Sequence, residues 1–146
     1  MNTITRRTLL TGATAAAVAI TTLPLLAQAA VMTAPEAQKA ALAGEVVFID
    51  IRSPEEWKET GLATSASPVS MHQAGFLQKL DKLIDGDKTR KIAIICATGA
   101  RSAFIQKELT KRGYTNAISV AEGMLGGPYG KGWIPRGMPV KQFTGN

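Results

Sequence analysis

One cysteine and one histidine occur in the 146 residues of the chain, so nucleophilic sulfur chemistry has a single place to happen. Cys96 is followed by Ala97, Thr98, Gly99, Ala100, Arg101 and Ser102. Small residues around a glycine let the backbone curl until successive N–H groups point at one atom, and such a nest binds negative charge. Arg101 adds a cation, and a helix beginning here adds the partial positive charge of its N-terminus. Together these groups stabilise a thiolate and hold an anion against it, with no neighbouring base required. The stretch reads as a nucleophile, Cys96, in a substrate cradle made by residues 97–102. The competing reading is a buried cysteine acting as a small inert hydrophobe. Gly99 at the third place, Arg101 at the fifth and a helix start directly afterwards favour the reactive one.

The elements that must hold such a loop stand on either side of it. Residues 91–96 form an isoleucine-rich apolar run, the pattern of a buried strand in a parallel sheet. Residues 102–112 read as a helix, with Ser102 as its cap, Ile105 and Leu109 on one face, and Gly113 as its stop. A second buried strand, 46–51, ends at Asp50 and Arg52, and Ser53 and Pro54 then start a short helix. Thr33, Pro35 and Glu36 have the form of a capping box opening a first helix. Further on come an edge strand at 69–71, an amphipathic helix at 75–84, a last strand at 114–120 and an irregular Gly/Pro-rich tail. Strands alternating with helices give an α/β, doubly wound sheet, whose ligands bind beyond the carboxyl ends of the strands.

The loop Cys96-Ala97-Thr98-Gly99-Ala100-Arg101-Ser102 resembles the Cys-x-x-Gly-x-Arg-Ser active loop of the rhodanese sulfurtransferases. Asp50-Ile51-Arg52-Ser53-Pro54-Glu55-Glu56-Trp57 resembles their second signature, and Gly137-Met138-Pro139-Val140 resembles their closing segment. The resemblance spans about residues 33–142 and implies a five-stranded, mostly parallel sheet with helices on both faces. It also implies that Asp50 accepts N–H bonds from the loop and that Arg52 pairs with an acid beside it, stiffening the cradle. The implied activity is transfer of sulfane sulfur, from thiosulfate or a persulfide to cyanide or a thiol, through a Cys96 persulfide and without a cofactor. One rival is a sulfur-carrier or binding module serving a protein partner. Another is a cysteine-based phosphatase or arsenate reductase, disfavoured because those enzymes place five residues between Cys and Arg where this chain has four. The chain departs from the family between Leu62 and Met71, where the histidine of the family's Gly-His-Ile and one glycine of the turn that follows are missing. That departure concerns the pocket wall and the substrate, with Tyr129 or Trp133 of the tail as a further apolar wall.

His72 invites a Cys–His dyad reading, but acyl transfer also needs a group orienting the ring, and the alternative is a surface loop histidine. A lone cysteine forms no internal disulfide, and with one histidine there is no ligand cluster for zinc, so no metal is expected. Arg6 and Arg7, a charge-free stretch to Leu26 and then Ala27-Gln28-Ala29 have the order of a cleavable secretory signal over residues 1–29, of twin-arginine type. Pro24 and the cleavage site argue against a stable membrane anchor. Residues 30–146 then form one rhodanese-like domain in the periplasm. Losing the two arginines lowers the net charge from +6 to +4, enough to attract small anions. The scattered lysines and arginines, without interleaved aromatics, argue against nucleic acid.

Overall fold

β-Branched side chains pack well on a pleated surface, and the two runs richest in them become neighbouring central strands. The computed structural model describes residues 29–145. In chain order it contains β1 (Val31–Met32), α1 (Ala34–Leu42), β2 (Val47–Asp50), α2 (Pro54–Thr60), β3 (Leu62–Ala63), β4 (Ser67–Pro68), α3 (Phe76–Leu83), β5 (Ile92–Ile95), α4 (Ala100–Lys111), β6 (Ala117–Val120) and β7 (Val140–Lys141). The main sheet has five strands in the order β1-β6-β5-β2-β4, and every pairing in it is parallel. Parallel neighbours need crossover connections, and the helices supply them. The signal assigned to residues 1–29 lies, but for Ala29, outside the described residues.

Alternation along the central strands builds two cores. Phe48, Ala93, Ile95 and Val120 face Ala34, Ala37 and Ala40 of α1, together with Met124 and Trp133. Ile49, Ile51, Ile92, Ile94 and Cys96 face the other way, towards Leu80 of α3 and Ile105 and Leu109 of α4. Helices therefore cover both faces, as the resemblance implied. The alanine face of α1 lets that helix lie close to the sheet, and its ends are set locally. Thr33 accepts from the Glu36 N–H at 3.4 Å while Glu36 accepts from the Thr33 N–H at 2.7 Å. Ser53 and Glu56 repeat the arrangement at the start of α2.

Several boundaries differ from the sequence reading. The edge strand is Ser67–Pro68, two residues earlier than expected, with Val69 and Met71 continuing as N–H donors to Asp50 and Ile51. Helix α4 begins at Ala100, because Gly99 turns the chain with φ of 96° and is itself the cap. Ser102 thus lies within the first turn. β1 was not anticipated, since its two residues are too few for any periodicity to show. In the tail, β7 pairs antiparallel with β3, Leu62 opposite Lys141. Trp133 is buried against Phe48, in the core facing away from Cys96, so it forms no wall of the cysteine site.

Asp50 and Arg52 leave the end of β2 fully buried, 0% and 1% exposed, and bond to each other. Arg52 Nη2 donates to Asp50 Oδ2 at 2.7 Å, and its Nε lies 3.1 Å from both carboxylate oxygens. Nη2 also donates to the Gly61 carbonyl and Nη1 to Thr60 Oγ1, each at 2.7 Å, tying the C-terminal end of α2 to the strand. Removing one member of a buried pair strands the other charge. Asp50→Ala is expected to cost about 3–5 kcal/mol by urea unfolding, a loss far above that of truncating the exposed Asp87.

Candidate active site

A strand that hands over to a helix within four residues must turn sharply, and the turn here is made by the one residue without a side chain. A Cβ on Gly99 would sit 2.0 Å from the Ala121 carbonyl oxygen, so no other residue fits. The turn brings two backbone N–H groups onto the cysteine: Gly99 N donates to Cys96 Sγ at 3.2 Å and Ser102 N at 3.3 Å. The Ser102 hydroxyl lies 3.6 Å from the sulfur, donates to the Gly99 carbonyl at 2.9 Å and meets Ser119 Oγ at 2.8 Å. Ser102, expected as a helix cap, instead braces the cradle from inside. Cys96 is 1% exposed; Thr98 and Ala100 are exposed, and Ala97 is buried.

The segment after β6 backs the loop, a role the sequence did not disclose. Met124 N donates to the Cys96 carbonyl and Leu125 N to the Ala97 carbonyl, both at 2.8 Å. Gly123 permits this approach, since a Cβ there would lie 2.3 Å from the Ala97 oxygen. The available signal was the likeness of Ala121-Glu122-Gly123-Met124 to the Leu-Glu-Gly-Gly turn of the resembled family. Tyr129, proposed as a wall, is 72% exposed at the tip of a tight turn closed by the Gly127–Gly130 bridge.

Arg101 was expected to reach for the substrate. Its fork is already engaged: Nη1 donates to Glu56 Oε2 at 2.8 Å and Nη2 to Glu56 Oε1 at 2.5 Å. Nη1 also lies 3.2 Å from His72 Nε2. Glu56 was missing from the predicted site. Its spacing from Ser53 marked it as half of a capping box, but nothing local showed that α2 presents it to a loop 45 residues away. His72, left between a surface loop and the site, belongs to the rim. Asp50 was expected to accept N–H bonds from the loop; the carboxylate accepts from Arg52 instead, because the guanidinium beside it competes at closer range. The pair supports the site through α2, whose first turn carries Glu56.

The Arg101 guanidinium, and then the Ser53 N–H, hold the Glu56 carboxyl well below its ordinary 4.5, at about 2, against the opposing effect of burial. Arg101 is raised in turn, first by Glu56 and further by the charges of Cys96 and Asp50. A carboxyl with a depressed folded-state value stabilises the fold above its ordinary range and loses that contribution as pH falls. The stability gap between the wild type and Glu56→Gln is therefore expected to be constant above the ordinary carboxylate range. It should close as pH falls from 4.5 towards about 2, read by thermal unfolding at fixed salt.

The sequence model of the family described as Rhodanese-like domain matches residues 33–126. No curated protein sequence matches the chain. Among solved structures, the chain is similar to a rhodanese-related protein from Thermoplasma volcanium, 22% identical over 78% of this chain and 99% of that one, with a TM-score of 0.57. It is similar to the polysulfide-sulfur transferase homodimer of Wolinella succinogenes, 22% identical over 80% of each chain, TM-score 0.61. A thiosulfate sulfurtransferase from Pseudomonas aeruginosa is 21% identical over 78% of this chain but only 20% of its own, TM-score 0.61. At such identities the structures speak for the fold, and the family match adds the assignment. With the sulfur at the mouth of a strand-to-helix loop in a five-stranded parallel sheet, and that match over most of the chain, the protein belongs to the rhodanese-like domain family.

Proposed function

We propose that the protein is a sulfurtransferase that carries sulfane sulfur on Cys96 as a persulfide and works in the periplasm. The observation behind this reading is the pair of backbone N–H groups, from Gly99 and Ser102, that converge on Cys96 Sγ at the start of α4. In the first half-reaction the Cys96 thiolate attacks the outer sulfur of a donor such as thiosulfate or a persulfide. The new S–S bond forms as the donor's own bond to that sulfur breaks, and sulfite or a thiolate leaves with the electron pair. In the second, cyanide or a thiol attacks the terminal sulfur and Cys96 leaves as thiolate. Both steps move negative charge within the cradle, where fixed N–H donors act without reorganisation. Residues 97–102 form that cradle, with Arg101 as a charge-compensated clamp between α2 and α4.

Export is part of the proposal. The paired Arg6 and Arg7 and the Ala27-Gln28-Ala29 end support a twin-arginine signal. Cleavage after Ala29 leaves in place the Ala30 carbonyl, which accepts from Ser119 N at 3.2 Å and Gln106 Nε2 at 2.6 Å, and all of β1.

Intact mass of the full chain, expressed with its leader and recovered from the periplasmic fraction, tests both parts. Thiosulfate or polysulfide is expected to add one sulfur that cyanide removes as thiocyanate, Cys96→Ser is expected to gain none, and the mass should correspond to a chain starting at Ala30. Absence of sulfur uptake from every small donor overturns the enzyme reading, and uptake only from a persulfidated protein selects the carrier role.

A further inference from the structure

Arginine carries hydrogen-bond donors only, so a ring nitrogen facing it at bonding distance must present a lone pair. Arg101 Nη1 and His72 Nε2 stand 3.2 Å apart. The contact thus selects one of the three states of the imidazole: neutral, with the hydrogen on Nδ1 and Nε2 bare. The protonated ring has two donors, no acceptor and a charge like that of the guanidinium.

The position of the imidazole is set by the sheet. Val69 N donates to the Asp50 carbonyl and Met71 N to the Ile51 carbonyl, both at 3.0 Å, so the chain approaching His72 prolongs the edge of β2. The His72 N–H then bonds to Ser70 Oγ at 3.2 Å, and Ser70 is 1% exposed. The charged groups around the ring come from three elements. Arg101 belongs to α4, and its Nη1 is shared between His72 Nε2 and Glu56 Oε2 of α2. Lys79 of α3 is tied through Nζ to Gln73 Oε1, next to His72, at 3.1 Å. Cys96 precedes Arg101 on the loop that leads into the same helix turn.

We infer that His72, in its neutral Nδ1–H form, is a positioning residue for Arg101 beside the Cys96 cradle. Protonation removes the acceptor and sets two cations side by side, so the imidazole leaves and Arg101 is held by Glu56 alone. Sulfur uptake becomes sensitive to pH through a ring that never touches the sulfur. The functional half of this statement rests on the sulfurtransferase reading; the geometric half does not.

Because the chain has a single histidine, its ring nitrogens are identifiable without assignment, and ¹⁵N NMR of the full chain reads the tautomer directly. A bare Nε2 and a protonated Nδ1 are expected for the neutral ring, and a neutral ring with its proton on Nε2 overturns the inference. Reactivity is tested with His72→Gln, whose Oε1 accepts a hydrogen bond from Arg101 but does not titrate. Alkylation of Cys96 by iodoacetamide and sulfur uptake from thiosulfate are followed against pH in both proteins. The ratio of wild-type to variant rates is expected to be constant while the ring is neutral and to fall about three- to tenfold as the ¹⁵N signals show it taking up its second proton. A ratio independent of pH in the alkylation series overturns the positioning role. If the wild type is alkylated with the expected profile but takes up no sulfur, the sulfurtransferase reading fails and the positioning role stands.

Discussion

The site depends on a near-collision. The chain leaving β5 has to become a helix within four residues, and it does so against the Ala121 carbonyl, in a space that admits a glycine and nothing larger. That approach forces Gly99 into the left-handed region, and the left-handed turn is what aims the N–H groups of residues 99 and 102 at one sulfur. The rest of the fold can be read as the means of holding two backbone segments at this separation. Met124 and Leu125 fasten the backing segment to the loop, and the Glu122–Arg136 pair, with Glu122 nearly buried, braces that segment in turn.

Two arginine–carboxylate pairs do different work because they differ in burial. Asp50–Arg52 is sealed from solvent, and its worth lies mainly in the penalty for disrupting it. Glu56–Arg101 is about one-third exposed on both members, so solvent screens it and its value is geometric: it fixes a planar fork at the rim. Both act on α2. Arg52 holds the last turn through Thr60 and Gly61, and Arg101 holds the first through Glu56. A short helix with one buried apolar side chain, Trp57, gains little from packing and is kept in place by charge at its two ends.

Much of this was legible in the sequence, for identifiable reasons. The isoleucine runs at the centre of the sheet are buried on both faces, so their composition alone marked them as strands. Thr33 and Ser53 announced helix starts because capping is a local exchange of hydrogen bonds. Cys96, Gly99 and Arg101 were readable because the chemistry of the loop lies within seven consecutive residues. What the sequence concealed was non-local. Glu56 looks like an ordinary cap residue until the sheet brings α2 to α4, and Trp133 looks like a pocket wall until its ring is found on Phe48. The two-residue strands carry no period of their own and exist only because a partner strand offers its free edge.

The pairing of β3 with β7 ties the rim to a segment far from it in sequence. Lys141 lies opposite Leu62, and Phe143 stacks edge-on against Trp57 of α2 at 5.0 Å between ring centroids. The helix that presents Glu56 therefore has its aromatic packing partner in the segment that follows β7. A change in that segment thus reaches the rim of the sulfur site through α2, by loosening the support of the helix that carries Glu56.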